Sequence, residues 1–163
     1  HFSEGLATQV YVPEAAIIPI ITNEITPAVA LADSLEQVRQ ALHTITPVAA
    51  KLAGRHTADS VLAALLLYYH DLPQYSTAHI RARGHVWLQA MGLPDESGYL
   101  DIDMRRYRLP DRLSLNRRVC CQYFRCPNAK LCSNCPKIPL EERLPLLASE
   151  WAEHDHAHAD SDA

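Results

Sequence analysis

Between residues 33 and 92 the apolar positions recur at helical spacing, and after residue 98 they change to alternation. In ADSLEQVRQALHTI, Asp33 or Ser34 stands where an N-cap belongs, and Leu35, Val38, Leu42 and Ile45 fall on one helical face. Pro47 ends or kinks that helix, because it lacks an amide donor and crowds the preceding turn. HTADSVLAALLLYYHDLP follows, with Thr57 as its cap and apolar side chains nearly all round from Val61 to Tyr69, the pattern of a buried central helix. STAHIRARGHVWLQAMGLP has Ser76 at its start and Gly92 and Pro94 past its end, with Ile80, Trp87, Leu88 and Met91 toward the core.

YLDIDMRRYRLP then sets Leu100, Ile102 and Met104 against Asp101, Asp103 and Arg105, the period of a half-buried strand. A single strand needs a partner, and the other candidate lies near the N-terminus. There LATQVYVPEAAIIPIIT, residues 6–22, is apolar and β-branched but broken by Pro13 and Pro19, which leaves short strands, an extended packed segment or helix open. PLEERLPLLASEWAEH predicts a last helix, with Pro139 near its first turn and Pro145 splitting or restarting it. Residues 154–163, HDHAHADSDA, are polar and expected to be disordered.

These elements predict a mainly α fold with a minor β component, an α+β chain forming one domain over residues 1–163 with a cysteine-rich loop near its C-terminus. A chain of 163 residues buries an adequate core without disulfide staples. No apolar run approaches the roughly 18 residues of a membrane span, so a soluble chain is expected, with peripheral membrane association left open. The start, HFSEGLATQVYV, has no initiator Met and no secretory pattern, and reads as the beginning of a fragment or a processed chain. With an odd cysteine count, this points to a reducing compartment, the cytoplasm.

Charge is polarised along the chain. From Arg105 to Lys137 the basic residues Arg105, Arg106, Arg108, Arg112, Arg117, Arg118, Arg125, Lys130 and Lys137 are opposed only by Asp111, and from Glu141 onward acidic residues dominate. Within the basic stretch lie all five cysteines, in RRVCCQYFRCPNAKLCSNCPK, residues 117–137. Four thiolates are the usual complement of a structural zinc or of a [2Fe-2S] cluster. Zinc ligands commonly pair at separations of two to four residues, whereas adjacent residues such as Cys120 and Cys121 point in different directions, which favours a cluster with two metal atoms to reach. Zinc stays open on this ground alone. A disulfide scaffold would leave a thiol unpaired, and CSNC lacks the βαβ setting of a thioredoxin-like motif.

The spacing C-C-x10-C-x2-C, preceded by Arg117 and Arg118 and followed by Pro136, resembles the ferric-siderophore reductases of the FhuF type. The resemblance implies that Cys120, Cys121, Cys132 and Cys135 hold a [2Fe-2S] cluster, with Cys126 outside the ligand set and expected to be a packed thiol. It implies a reductase that delivers one electron to a ferric siderophore, hydroxamate type first, and releases Fe(II) for iron assimilation. The chain looks shorter at its N-terminus than that family, so part of the substrate pocket is expected to be absent or rebuilt. The alternative is a small four-cysteine zinc or iron-sulfur domain with a structural, partner-binding or electron-carrier role.

Around that centre, Arg105, Arg106, Arg108, Arg117, Arg118 and Arg125 are candidates for docking an anionic substrate or an acidic donor, against the simpler reading that they pair with surface acids. Tyr107, Tyr123 and Phe124 are candidates to shield the cluster. His70, His79 and His85 read as hydrogen-bonded structural histidines, and His154, His156 and His158 as an adventitious ion-binding tail that could briefly hold released iron. There is no G-x-G-x-x-G, no Walker-type loop and no sign of nucleic-acid recognition. Electrons must therefore come from an external donor, such as a ferredoxin-like protein or a flavin reductase.

Overall fold

The computed structural model describes residues 25–70, 72 and 74–159. The expectation for residues 6–22 lies outside them. Among the described residues, four helices and a two-stranded sheet form: α1 (Ile25–His43), α2 (Ala50–His70), α3 (Thr77–Ala90), β1 (Tyr99–Ile102), β2 (Arg112–Leu115) and α4 (Leu140–Ala159). The mainly α architecture with a small β component is thus the observed one.

Helix α1 begins eight residues before the expected cap at Asp33. Pro27 is tolerated in a first turn, where no amide partner is needed, and the Ala-rich stretch after it propagates the helix. Ser34 consequently sits mid-helix, its hydroxyl donating to the Ala30 carbonyl at 2.8 Å. Leu35, Val38, Leu42 and Ile45, whose spacing suggests one helical face, are exposed, and α1 buries Ala28 against Val61 and Met91. Small residues let α1 lie close to its neighbours, which the spacing of the large ones did not show.

Helix α2 starts at Ala50, so Thr57 lies inside it. One side is buried through Ala58, Leu62 and Tyr69, but Leu67 and Tyr68 face water, so the helix is not surrounded. Helix α3 follows its sequence signals: the Ser76 hydroxyl accepts from the His79 amide at 3.2 Å, and Gly92 takes the left-handed conformation (φ 70°) that closes the C-terminus. Ile80, Leu88 and Met91 are buried as expected, with Trp87 partly so. Gly84 permits the close approach of α2, α3 and β1, since a Cβ there would lie 2.7 Å from the Tyr99 ring and 2.8 Å from Leu62 Cδ2.

The partner of β1 is β2, and not an N-terminal segment. The strands pair antiparallel with Tyr99 opposite Leu115 and Ile102 opposite Arg112, and the Asn116 amide extends the ladder by donating to the Gly98 carbonyl at 2.7 Å. Between the strands, a short 3-10 turn at Arg105–Tyr107 ends at Arg108, which is left-handed (φ 59°). Helix α4 covers the sheet, packing Leu147, Ala148 and Ala152 on Ile102 and Met104, while Trp151 Nε1 donates to the Leu113 carbonyl at 3.2 Å. Pro145 lies within a continuous α4, which runs to Ala159 and so enters the stretch expected to be disordered.

This topology places the cysteines. Because β2 runs back alongside β1, the chain leaves the sheet at the Ser97–Gly98 end, beside the first half of α2, and there it enters the cysteine loop.

Candidate metal centre

Arg117 and Arg118 are the first residues of that loop, and α2 grips both. Arg55 and Asp59 are one helical turn apart and therefore share a face. Arg117 Nε donates to Asp59 Oδ2 at 2.9 Å, and Arg55 Nη1 donates to the Arg118 carbonyl at 3.5 Å. The residues before β1 complete the grip: Ser97 Oγ donates to Asp59 Oδ1 at 2.6 Å, and Arg55 Nε donates to Glu96 Oε2 at 2.9 Å. Asp59 and Ser97 are buried, so their mutual satisfaction is required for the site to be stable.

After this anchor, the chain turns sharply. Gln122 adopts a left-handed conformation (φ 64°), and its amide donates to Cys120 Sγ at 3.4 Å. A hydrogen bond from the Tyr123 amide lowers the Cys121 thiol below its ordinary pKa, assisted by the Arg117 side chain. Successive amides thus serve the two neighbouring sulfurs, which is how adjacent cysteines can face different directions and still share a site. The second arm closes by a turn in which the Cys135 amide donates to the Cys132 carbonyl at 2.9 Å, and Ser133 Oγ ties it to α4 through Glu150 Oε2 at 2.6 Å.

The two arms meet at the sulfurs. Cys135 Sγ, the buried member, lies 3.7 Å from Cys120 Sγ, and Arg117 Nη1 lies 3.8 Å from Cys132 Sγ. Burial pushes the Cys132 thiol up, and the neighbouring Cys135 adds to it against the pull of Arg117. Burial also opposes the charge on Arg117, but the bonds to Asp59 and Cys121 outweigh it and its pKa rises. Cys120 and Cys132 are half-buried and Cys121 is exposed, so the centre opens to solvent on the Cys121 side.

All five cysteines are free thiols. A separation of 3.7 Å matches the edge of a tetrahedron whose metal–sulfur bonds are about 2.3 Å. One close sulfur pair, Cys120 with Cys135, joins the two arms, and Arg117 stands beside Cys132. By its chemistry, thiols on two arms that meet, the donor set fits a binuclear iron-sulfur cluster, which Cys120, Cys121, Cys132 and Cys135 would hold.

These features define the segment as an iron-sulfur binding one. Residues 117–137 match the family model of the FhuF 2Fe-2S C-terminal domain, and the cofactor is accordingly a [2Fe-2S] cluster. The resemblance to FhuF-type proteins covers this segment. No solved structure matches the chain.

Other candidates are placed differently from expectation. Cys126 is exposed at the end of the Tyr123–Arg125 turn and is not a packed thiol. Tyr107 packs in the α4 core, Tyr123 is largely exposed, and Phe124 lies under Lys137 Nζ at 5.5 Å from its centroid. His79 packs edge-on to Tyr69 and tilted against Tyr75, with Nε2 buried and unbonded among the described residues, so ring packing replaces the expected side-chain hydrogen bond. His85 is exposed, and the side chains of His70, His156 and His158 lie outside the described residues. His154 lies against Trp151.

The arginines fall into two groups. Arg105 is paired with Asp103, Arg106 lies 6.0 Å from the Tyr107 ring centroid, and Arg108 is exposed. Arg117 is part of the centre, and Arg118 and Arg125 are exposed on the cysteine loop itself. Asp59, Ser97, Arg55 and Glu96 escaped the sequence reading. Its only trace of them was the one-turn spacing of Arg55 and Asp59 on α2.

Proposed function

We propose that this chain reduces ferric siderophore complexes, passing one electron from its [2Fe-2S] cluster to Fe(III) so that the metal leaves as Fe(II). Fe(III) is held by hard oxygen donors that bind the softer Fe(II) far less well, so one electron is sufficient for release. The observation that carries this reading is the match of residues 117–137 to the FhuF 2Fe-2S C-terminal domain on a loop whose Cys121 edge is open to solvent. Cavities of about 390, 380 and 410 Å³ open around α2, and no cysteine lines them. A bulky chelate docked on the exposed loop is the arrangement this supports, with a hydroxamate siderophore as the first substrate class.

The same loop suits an acidic electron donor of the ferredoxin or flavin-reductase kind, since Arg118, Arg125, Lys130 and Lys137 are exposed around it. No helix of the described residues is long and apolar enough to cross a membrane, and the cytoplasm is the proposed compartment.

The test is a visible spectrum of anaerobic protein, reduced stoichiometrically and titrated with a ferric hydroxamate while an Fe(II) chelator reports release. Return of the oxidised spectrum in step with one Fe(II) per cluster is expected. A reduced cluster that is not reoxidised by the chelate would sink the reductase reading and leave an electron carrier. For an anionic chelate or donor, the rate should fall as ionic strength rises. A salt-independent rate would remove the arginines from docking.

A further inference from the structure

Asp59 and Arg117 have no role as ligands, yet both are withdrawn from water at the cysteine centre, with side chains 6% and 14% exposed. A buried ion pair of this kind is weak evidence for stability, because desolvation offsets much of the attraction. Its geometry suggests another use. A guanidinium presents five N–H groups in one rigid plane. With Nε fixed on Asp59 Oδ2 at 2.9 Å, the far edge of that plane is fixed as well, and its Nη1 reaches Cys132 Sγ at 3.8 Å. Asp59 is itself held by Ser97 at 2.6 Å, so the aim of Arg117 is determined from inside the protein.

We propose that Arg117, aimed by Asp59, sets the reduction potential of the cluster. Reduction takes one electron from an external one-electron donor and converts one ferric iron to ferrous, with no bond made or broken. The charge on the thiolate cage becomes more negative by one, and hydrogen bonds and positive charge directed at its sulfurs stabilise that form. Arg117 supplies both, at Cys132. Lysine would keep the charge but lose the fork that joins Asp59 to the Cys132 sulfur. Asp59 is a positioning residue, since its own negative charge opposes the effect and it acts only through Arg117.

This inference rests on the cluster and not on siderophore reduction. It is tested by anaerobic redox titration of the holoprotein with dithionite and mediator dyes, followed by visible absorbance in the absence of any siderophore. R117Q should lower the equilibrium constant for reduction at least tenfold, which is about 59 mV for one electron. R117K should fall between the two. D59N decides the positioning role by its sign: removing a negative charge would by itself raise the potential, whereas loss of aim lowers it. A potential for R117Q equal to the parent's, or a raised potential for D59N, overturns the proposal. So does R117K at the parent value, which would mean that charge without aim suffices. Where R117Q does not assemble the cluster, R117K and D59N carry the test. Shifted potentials in a protein that reduces no ferric siderophore would leave this inference standing and remove only the proposed substrate.

Discussion

Ser133 donates to Glu150 at 2.6 Å, and this contact joins the Cys132–Cys135 turn to α4. The first cysteine arm is held by α2 through Arg117 and Arg118, so the two arms of the centre are carried by different helices. The hydrogen bond is charge-assisted but lies at the surface, where such contacts contribute about 1 kcal/mol. S133A should therefore leave the fold intact and hasten loss of the cluster to an iron chelator severalfold. Circular dichroism and the decay of visible absorbance check it, and unchanged decay would show that α4 does not support this arm.

The ligand set makes a sharper prediction. Serine at Cys120, Cys121, Cys132 or Cys135 replaces a soft thiolate by a weakly acidic hydroxyl, and each variant should lose most of its iron and its colour. C126S should keep both, because Cys126 stands outside the C-C-x10-C-x2-C spacing. Iron and sulfide analysis beside the visible spectrum measures the outcome, and loss of the cluster in C126S alone would refute the assignment.

Gly84 bears on the scaffold rather than on the iron. Alanine there would press on Tyr99, whose hydroxyl donates to the Leu62 carbonyl at 2.9 Å and which cannot easily retreat. Overpacking of this sort costs about 1–3 kcal/mol. G84A should lower the thermal midpoint by several degrees with little change in the visible spectrum per folded molecule. A midpoint at or above the parent's would mean that the α2–α3–β1 contact has room to relax.

The legible parts of this chain were those written in local chemistry. Ser76, Gly92 and Pro94 delimit α3 through capping rules, and the cysteine spacing marks the metal centre without any knowledge of the fold. Helix α1 starts at Ile25 rather than at the Asp33 or Ser34 cap, and its contact is made by Ala28, which the spacing of the larger apolar residues does not mark. The β1 partner was missed because RLSL is only four residues long and its register depends on α4 closing over it. Asp59 is 58 residues from Arg117, and nothing local distinguishes it from a solvated helical acid. Long-range pairing of polar side chains is set by topology, and one sequence does not display it.

Gln122 shows how the adjacent cysteines are reconciled with one site. Its left-handed conformation turns the chain immediately after Cys121 and points its own amide at Cys120 Sγ, so backbone and ligand geometry are settled together. For an L-residue other than glycine this conformation costs about 1–2 kcal/mol. Glycine should relieve that cost, so Q122G is expected to hold the cluster as well as the parent. Valine has a branched Cβ that resists the same conformation, and Q122V should drive the turn toward extended backbone and carry the Gln122 amide away from Cys120. The measurement is iron content per protein after anaerobic reconstitution, with the apo proteins compared by circular dichroism. Q122V should fall well below the parent while Q122G matches it. Equal loading of both variants would mean that the left-handed turn is a consequence of how the loop packs and not a requirement for presenting Cys120 and Cys121.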